Sequence, residues 1–119
     1  MSAARGRRGE RLAGRWLRRR GYRLVARNVR RGRLEADLVA ISPCGACQVV
    51  VEVKSGDADR WKLSERVDGG KRRRLQVMAG WIPLITGRSL PIRFDVVLVE
   101  LRAGRPARIR HLPGAFDAI

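Results

Sequence analysis

At 119 residues the chain is long enough for one hydrophobic core and too short for two, so a single domain over residues 1–119 is expected, its core spanning about 5–101. Its apolar content of 45% excludes global disorder, and no stretch is long and apolar enough to span a bilayer as a helix. The formal charge of +16 makes a compact state repel itself, which a polyanionic partner would offset; nucleic acid is the leading candidate, ahead of an anionic membrane surface.

In chain order, Arg5 to Arg20 reads as a helix. Leu12, Ala13, Trp16 and Leu17 recur at helical spacing, the other faces are mostly Arg, and Gly21 supplies a stop. The stretch lacks the apolar run of a secretory signal. Its Arg-rich amphipathic look is that of a transit peptide, yet Glu10 and the onward pattern favour a structural helix, so the cytoplasm is the expected compartment. Tyr22 to Asn28 predicts a strand and Arg30 to Arg33 a turn. Glu35 to Ser42 and Gln48 to Lys54 predict two more strands, joined by a turn at Pro43, Cys44, Gly45 and Ala46.

Asp57 to Gly70 is polar and turn-rich and reads as a long loop. A second helix is predicted from Lys71 to about Ile82, with Leu75, Met78, Ala79 and Ile82 on one face and Pro83 as its stop. Pro91 to Leu101 predicts a fourth strand, Ala107 to Leu112 a short fifth, and Pro113 to Ile119 a loosely held tail. The order helix, three strands, helix, one or two strands describes an α/β domain with a mixed sheet, its first three strands an antiparallel meander.

Cys44 and Cys47 form a C-x-x-C, but no second cysteine pair accompanies them and His111 is the only histidine. Zinc needs four ligands, and a redox motif is expected to open a helix rather than sit between two strands; a plain hairpin turn is the simpler reading.

The chemistry gathers on the hairpin. Side chains alternate along a strand, so Glu35, Asp37, Val39 and Ile41 are expected on one face. On the next strand Val50, Glu52 and Lys54 share a face, with Val49, Val51 and Val53 pointing the other way. A turn centred on Cys44 and Gly45 sets Asp37 opposite Glu52, and Glu35 opposite Lys54. Three carboxylates and an ammonium then occupy one patch. Lysine is rare here, with only Lys54, Lys62 and Lys71, so a routine ion pair would have used Arg. Two carboxylates on adjacent strands suit Mg²⁺, and a lysine beside them can stabilise charge on a phosphate. From spacing alone, a phosphodiester-cleaving site and a cross-strand ion pair on a solvated face account for these residues equally well.

Other residues have simpler readings. Glu10 offsets nearby Arg early in its helix, and Arg93 and Asp95 share a strand face and can pair. Lys71, Arg72, Arg73 and Arg74 form a basic run at a helix start, suited to phosphate. Trp16 and Trp81 are expected to pack within helices, which leaves Trp61 as the tryptophan placed to stack on a base.

The ordered set Gly9-Glu10, Ala13, Gly21-Tyr22, Asn28, Glu35-x-Asp37-Leu38-Val39-Ala40, Val51-Glu52-Val53-Lys54, Lys71, Leu75, Ala79 and Arg93-Phe94-Asp95-Val96-Val97 resembles the YraN-like family of small bacterial proteins. That family has the restriction-endonuclease-like fold with its PD-(D/E)xK signature. The resemblance covers about Gly9 to Val99. It implies a nuclease-like site with Asp37 and Glu52 as ligands of Mg²⁺ or Mn²⁺, the Val53 carbonyl as a third ligand, and Lys54 as the catalytic lysine. Glu35 belongs to the same patch, and Glu10 would approach it from the first helix, as a glutamate does in resembling junction-resolving nucleases. DNA ranks ahead of RNA as the partner. A homodimer is an open option, although no seam in the sequence marks one.

Overall fold

The computed structural model describes residues 3–32, 34–56 and 69–116. In chain order the elements are α1 (Ala3–Arg19), β1 (Arg23–Arg31), β2 (Leu34–Ile41), β3 (Gln48–Gly56), α2 (Gly69–Thr86), β4 (Ile92–Glu100) and β5 (Arg108–Phe116). The strands form one five-stranded sheet in sequential order. Neighbours run antiparallel except β3 and β4, which are parallel. A parallel pair needs a crossover between its strands, and α2 lies on that connection. The protein is therefore an α/β fold with a mixed sheet, and its first three strands are the expected meander.

Alternation along β3 divides the core in two. Val49 and Val51 join Ala13 and Leu17 of α1, while Val50 joins Met78 and Ile82 of α2. The two helices thus cover opposite faces of the sheet. Val53, as its pattern predicts, packs with the α1 cluster. α1 stops where Gly21 takes φ +92°, with the Tyr22 N–H donating to Leu17 O and the Gly21 N–H to Arg18 O, both at 3.0 Å. Those two bonds satisfy the last helical carbonyls, and the positive φ is what glycine allows there.

Several boundaries differ from the sequence reading. β1 does not end at Asn28: that residue takes φ +49°, and the strand resumes to Arg31, so Arg30 and Arg31 belong to it rather than to a turn. The kink rotates the side-chain pattern. Arg27 reaches toward Gly14 of α1, whereas Val29, two residues on, packs in the α2 cluster.

α2 begins at Gly69 and runs through Pro83 to Thr86, so Pro83 does not stop it. The extra turn gains a tertiary anchor: the Thr86 hydroxyl donates to Gln48 Oε1 at 2.6 Å, and buried Gln48 Nε2 donates to Arg88 O at 2.9 Å. Satisfying a buried amide in this way offsets the helical hydrogen bond that proline cannot make. β5 is longer than expected and takes in Pro113 to Phe116, assigned above to a tail. The Gly114 N–H donates to Asp95 Oδ1 at 2.9 Å and ties that end to β4. The reading of Asp57 to Asp68 as a loop lies outside the described residues, as does that of Asp117 to Ile119 as tail.

The cysteines occupy a hairpin turn. Gly45 has φ +76°, its N–H donates to Ser42 O at 2.8 Å, and both thiols are free. Among the described residues no helix is long and apolar enough to cross a membrane.

Candidate functional site

The turn fixes the register of β2 on β3. Ile41 pairs with Gln48, Ala40 with Val49, Val39 with Val50 and Leu38 with Val51, so the ladder ends one pair short of Asp37 and Glu52. Main-chain pairing stops at Leu38 and Val51, although β2 runs back to Leu34 and β3 on to Gly56. Where the strands part, a side chain takes over the ladder: the Val53 N–H donates to Asp37 Oδ2 at 2.7 Å. The bond satisfies an amide that has lost its strand partner and fixes the direction of the carboxylate.

Glu52 and Lys54 extend from β3 on the α2 face, alongside Val96 and Leu98 of β4 in the parallel register. Lys54 Nζ lies 3.1 Å from Glu52 Oε1, with the two side chains 38% and 18% exposed. The pair is only partly accessible, Glu52 more buried than Lys54. Glu35 is not drawn to Lys54. It pairs across β1–β2 with Arg30, Nη2 to Oε2 3.5 Å, on an open surface.

Glu10 comes from α1 on the other face. Burial raises its carboxyl above the ordinary value, and the negative charges of Asp37 and Glu35 push it the same way against Arg27 and Arg7. Glu10, Asp37 and Glu35 therefore sense one another. α1 can come this close because residue 9 is glycine: a Cβ there would collide with Ser55 Oγ and come within 3.0 Å of Ser55 Cβ. Beside Glu10 lies a concavity of about 410 Å³ lined by Arg7, Arg11, Arg27 and Asn28. Sequence reasoning did not single out these arginines. Their signal is the kink at Asn28, a residue type that enters left-handed backbone more readily than most.

The sequence-derived patch is thus arranged around the gap between β2 and β3. Asp37 bridges the gap, Glu10 and Glu35 are coupled to it electrostatically, and Glu52 with Lys54 line the α2 face of β3. Of the basic run, Arg73 is exposed on α2. The side chains of Lys71, Arg72 and Arg74, and all of Trp61, lie outside the described residues. Trp16 is only half-buried, with the Arg20 guanidinium 3.7 Å from its ring centroid. Arg93 and Asp95 do pair. Nε and Nη2 of Arg93 donate to Asp95 Oδ1 and Oδ2, each at 2.8 Å, and Nη2 also donates to the Tyr22 hydroxyl at 2.8 Å. His111, missed as a structural residue, donates from Nε2 to Asp95 Oδ2 at 2.7 Å.

Among the described residues no three or more His, Cys, Asp or Glu side chains form a group that could hold a metal ion. An all-protein cage is not what Mg²⁺ requires, since it keeps several waters and uses one or two carboxylates. The donor set here is of that kind. Burial is the largest influence raising Glu10, and the negative charges of Asp37 and Glu35 add to it. Asp37 and Glu52 are of the donor type that could hold a largely hydrated Mg²⁺, and no fully protein-ligated group forms among the described residues.

Fold and site together define a class: a small basic α/β protein whose sheet opens beside clustered carboxylates and a lysine. The family model described as "Uncharacterised protein family UPF0102" matches residues 9–99, and the chain belongs to that family, the YraN-like group its sequence resembles. It is 41% identical over 114 residues to a UPF0102 protein of Anaeromyxobacter dehalogenans, covering 94% of this chain and 83% of the relative. A UPF0102 protein of Symbiobacterium thermophilum is 38% identical over 120 residues, covering 99% and 100%. One from Porphyromonas gingivalis is 41% identical over 118 residues, covering 97% and 85%.

Proposed function

We propose that the chain is a nuclease-like hydrolase of nucleic-acid phosphodiesters, dependent on Mg²⁺ or Mn²⁺ and acting on DNA ahead of RNA. The observation that carries this reading is the parting of β2 and β3 after Leu38 and Val51, which sets Asp37 on the Val53 amide beside Glu52 and Lys54. Asp37 and Glu52, with the Val53 carbonyl, would hold the ion. When bound, it supplies Lewis-acid polarisation of a phosphoryl oxygen.

Every other part belongs to the chain. Asp37 is preset by its amide hydrogen bond, so little reorganisation accompanies ligation. Lys54 keeps an ammonium beside Glu52, positioned to stabilise charge that builds on the phosphate. Glu10, its affinity for a proton raised by burial and by the charges of Asp37 and Glu35, is placed to take up or give one beside the phosphate. Arg7, Arg11 and Arg27 flank it and would hold the backbone either side of the scissile bond. Lys71 to Arg74 and Trp61 are proposed as further nucleic-acid contacts.

A second reading, binding without turnover, is favoured by one observation: the Lys54 ammonium already neutralises Glu52. A labelled panel of branched, flapped, single-stranded and duplex DNA, with matching RNA, separates the two. Cleavage is expected with Mg²⁺ or Mn²⁺, falling about 10²- to 10³-fold in Asp37→Asn, Glu52→Gln and Lys54→Met. Cleavage that persists in EDTA and in Glu52→Gln would sink the metal-dependent reading. Binding unchanged by Asp37→Ala, with no cleavage of any substrate, would establish the second.

A further inference from the structure

The flank of α1 away from Glu10 carries another groove. The first concavity opens toward β1, whereas this one opens toward β5, the opposite edge of the sheet. Arg8, Arg15 and Arg19 rise from α1 on one side and Arg105 from the β4–β5 connection on the other, around a volume of about 350 Å³. Half-buried Trp16 and Ile109 lie between them. We infer that this groove is a second binding site for a nucleic-acid backbone, separate from the carboxylate cluster. The inference rests on the proposed function only for its substrate class.

Charge comes first. All four arginines are exposed, and among the described residues no carboxylate lines the groove. Four guanidiniums facing one hollow repel one another unless an anion fills it. Length then selects the anion. Arg8 and Arg19 are separated by about 16 Å of helix axis at 1.5 Å per residue. A nucleic-acid strand advances about 3.4 Å per nucleotide along a duplex, so the row spans several successive phosphates and exceeds what one phosphate could engage.

Shape selects a strand over a bilayer. The apolar side chains are recessed while the charges form the rim, the reverse of a surface that inserts apolar groups between lipids. Both walls are also preset. Arg20 stacks on Trp16 at 3.7 Å from the ring centroid, and His111 meets the indole edge-on at 5.3 Å. Across the groove, Nε and Nη2 of Arg102 donate to Pro106 O at 3.1 and 2.7 Å, which holds the connection that carries Arg105. A wall ordered before binding costs less to occupy.

The test compares two charge-matched double variants: Arg15→Ala with Arg105→Ala in the groove, and Arg23→Ala with Arg108→Ala outside it. All four residues are exposed. Affinity for labelled duplex DNA is measured by fluorescence anisotropy in EDTA across a NaCl series. Each lost phosphate contact lowers the slope of log K against log salt by about 0.9. The groove pair is therefore expected to lower it by about 2 and to weaken binding roughly 10- to 100-fold near 0.1 M salt, with the outside pair keeping the wild-type slope. Equal losses in both pairs would assign binding to diffuse charge and overturn the inference, as would no change in the groove pair. So would loss of binding to phosphatidylserine vesicles with DNA affinity unchanged, which would make the groove a membrane contact. Glu52→Gln should keep the slope while losing cleavage. A wild-type chain that cleaves nothing but loses slope in the groove pair supports the groove and overturns the hydrolase; unchanged slope with cleavage intact does the opposite.

Discussion

Asp95 is completely buried, yet it is among the most strongly committed charges in the protein. Burial alone would raise its pKa and is the largest single influence. Hydrogen bonds from His111, Arg93 and the Gly114 N–H together outweigh it and hold the carboxyl below the ordinary value of 3.8. A folded-state pKa below the unfolded one contributes stability that is fully present above the unfolded value and is lost as pH falls through the folded one. Asp95→Asn is therefore expected to lower stability by about 2–4 kcal/mol at neutral pH, since Arg93 and His111 lose a charged partner. Urea unfolding from pH 7 down through the acid range checks this. The gap to wild type should narrow as pH drops below 3.8, where the wild-type carboxyl protonates; a gap that widens there would show that the charge is not what stabilises β4.

At the scale of elements, α1 packs tightly on β3, and that approach depends on Gly9. Gly9→Ala pushes a methyl group into Ser55, next to Lys54, so either the helix or the strand must shift. The expected cost is about 1–3 kcal/mol. Because the same shift carries Glu10 away from Asp37, any cleavage activity should fall further than stability does. Thermal melts and single-turnover rates on one preparation compare the two losses, and a melt shift with unchanged rates would remove α1 from the site.

The elements that were legible in the sequence are those whose pattern is local. The valine alternation of β3 showed its two faces, and the hairpin turn set the register as far as Leu38 and Val51, one pair short of Asp37 and Glu52. What escaped depends on partners far along the chain. Pro83 reads as a stop because nothing nearby shows that Thr86, a turn later, will meet Gln48 on β3. Pro113 to Phe116 read as a tail because the acceptor for the Gly114 N–H is Asp95, on another strand. Asn28 read as a strand end because the Arg30 to Arg33 run after it has the composition of a turn. Glu35 was expected beside Lys54 because the hairpin register was extended past the point where the strands part; Arg30, across the other ladder, holds it instead.

For the whole molecule, the net charge of +16 means that stability depends on what surrounds it. Without polyanion, added NaCl should raise the melting temperature by screening self-repulsion. With duplex DNA at about a hundred times its Kd, binding contributes about 2.7 kcal/mol, a rise on the order of 10 °C for a chain of this size. In that mixture salt should act in the opposite sense, because it releases the DNA. Differential scanning fluorimetry over a salt series with and without DNA reads both signs; parallel trends would mean that the two do not associate.

The one parallel ladder has a further consequence, in time rather than space. β1, β2 and β3 can zip up through short turns, and β4 with β5 forms its own hairpin. Joining the two halves pairs Gln48 with Ile92 and Gly56 with Glu100, across the longest separation in the sheet. Closing so large a loop comes late and slowly. On the ribosome, the strands carrying Asp37 and Glu52 would emerge well before β4 arrives to cover the edge of β3. During that interval a valine-rich strand stands open to the wrong neighbour, and Glu52 and Lys54 are the charges along it that discourage edge-to-edge pairing.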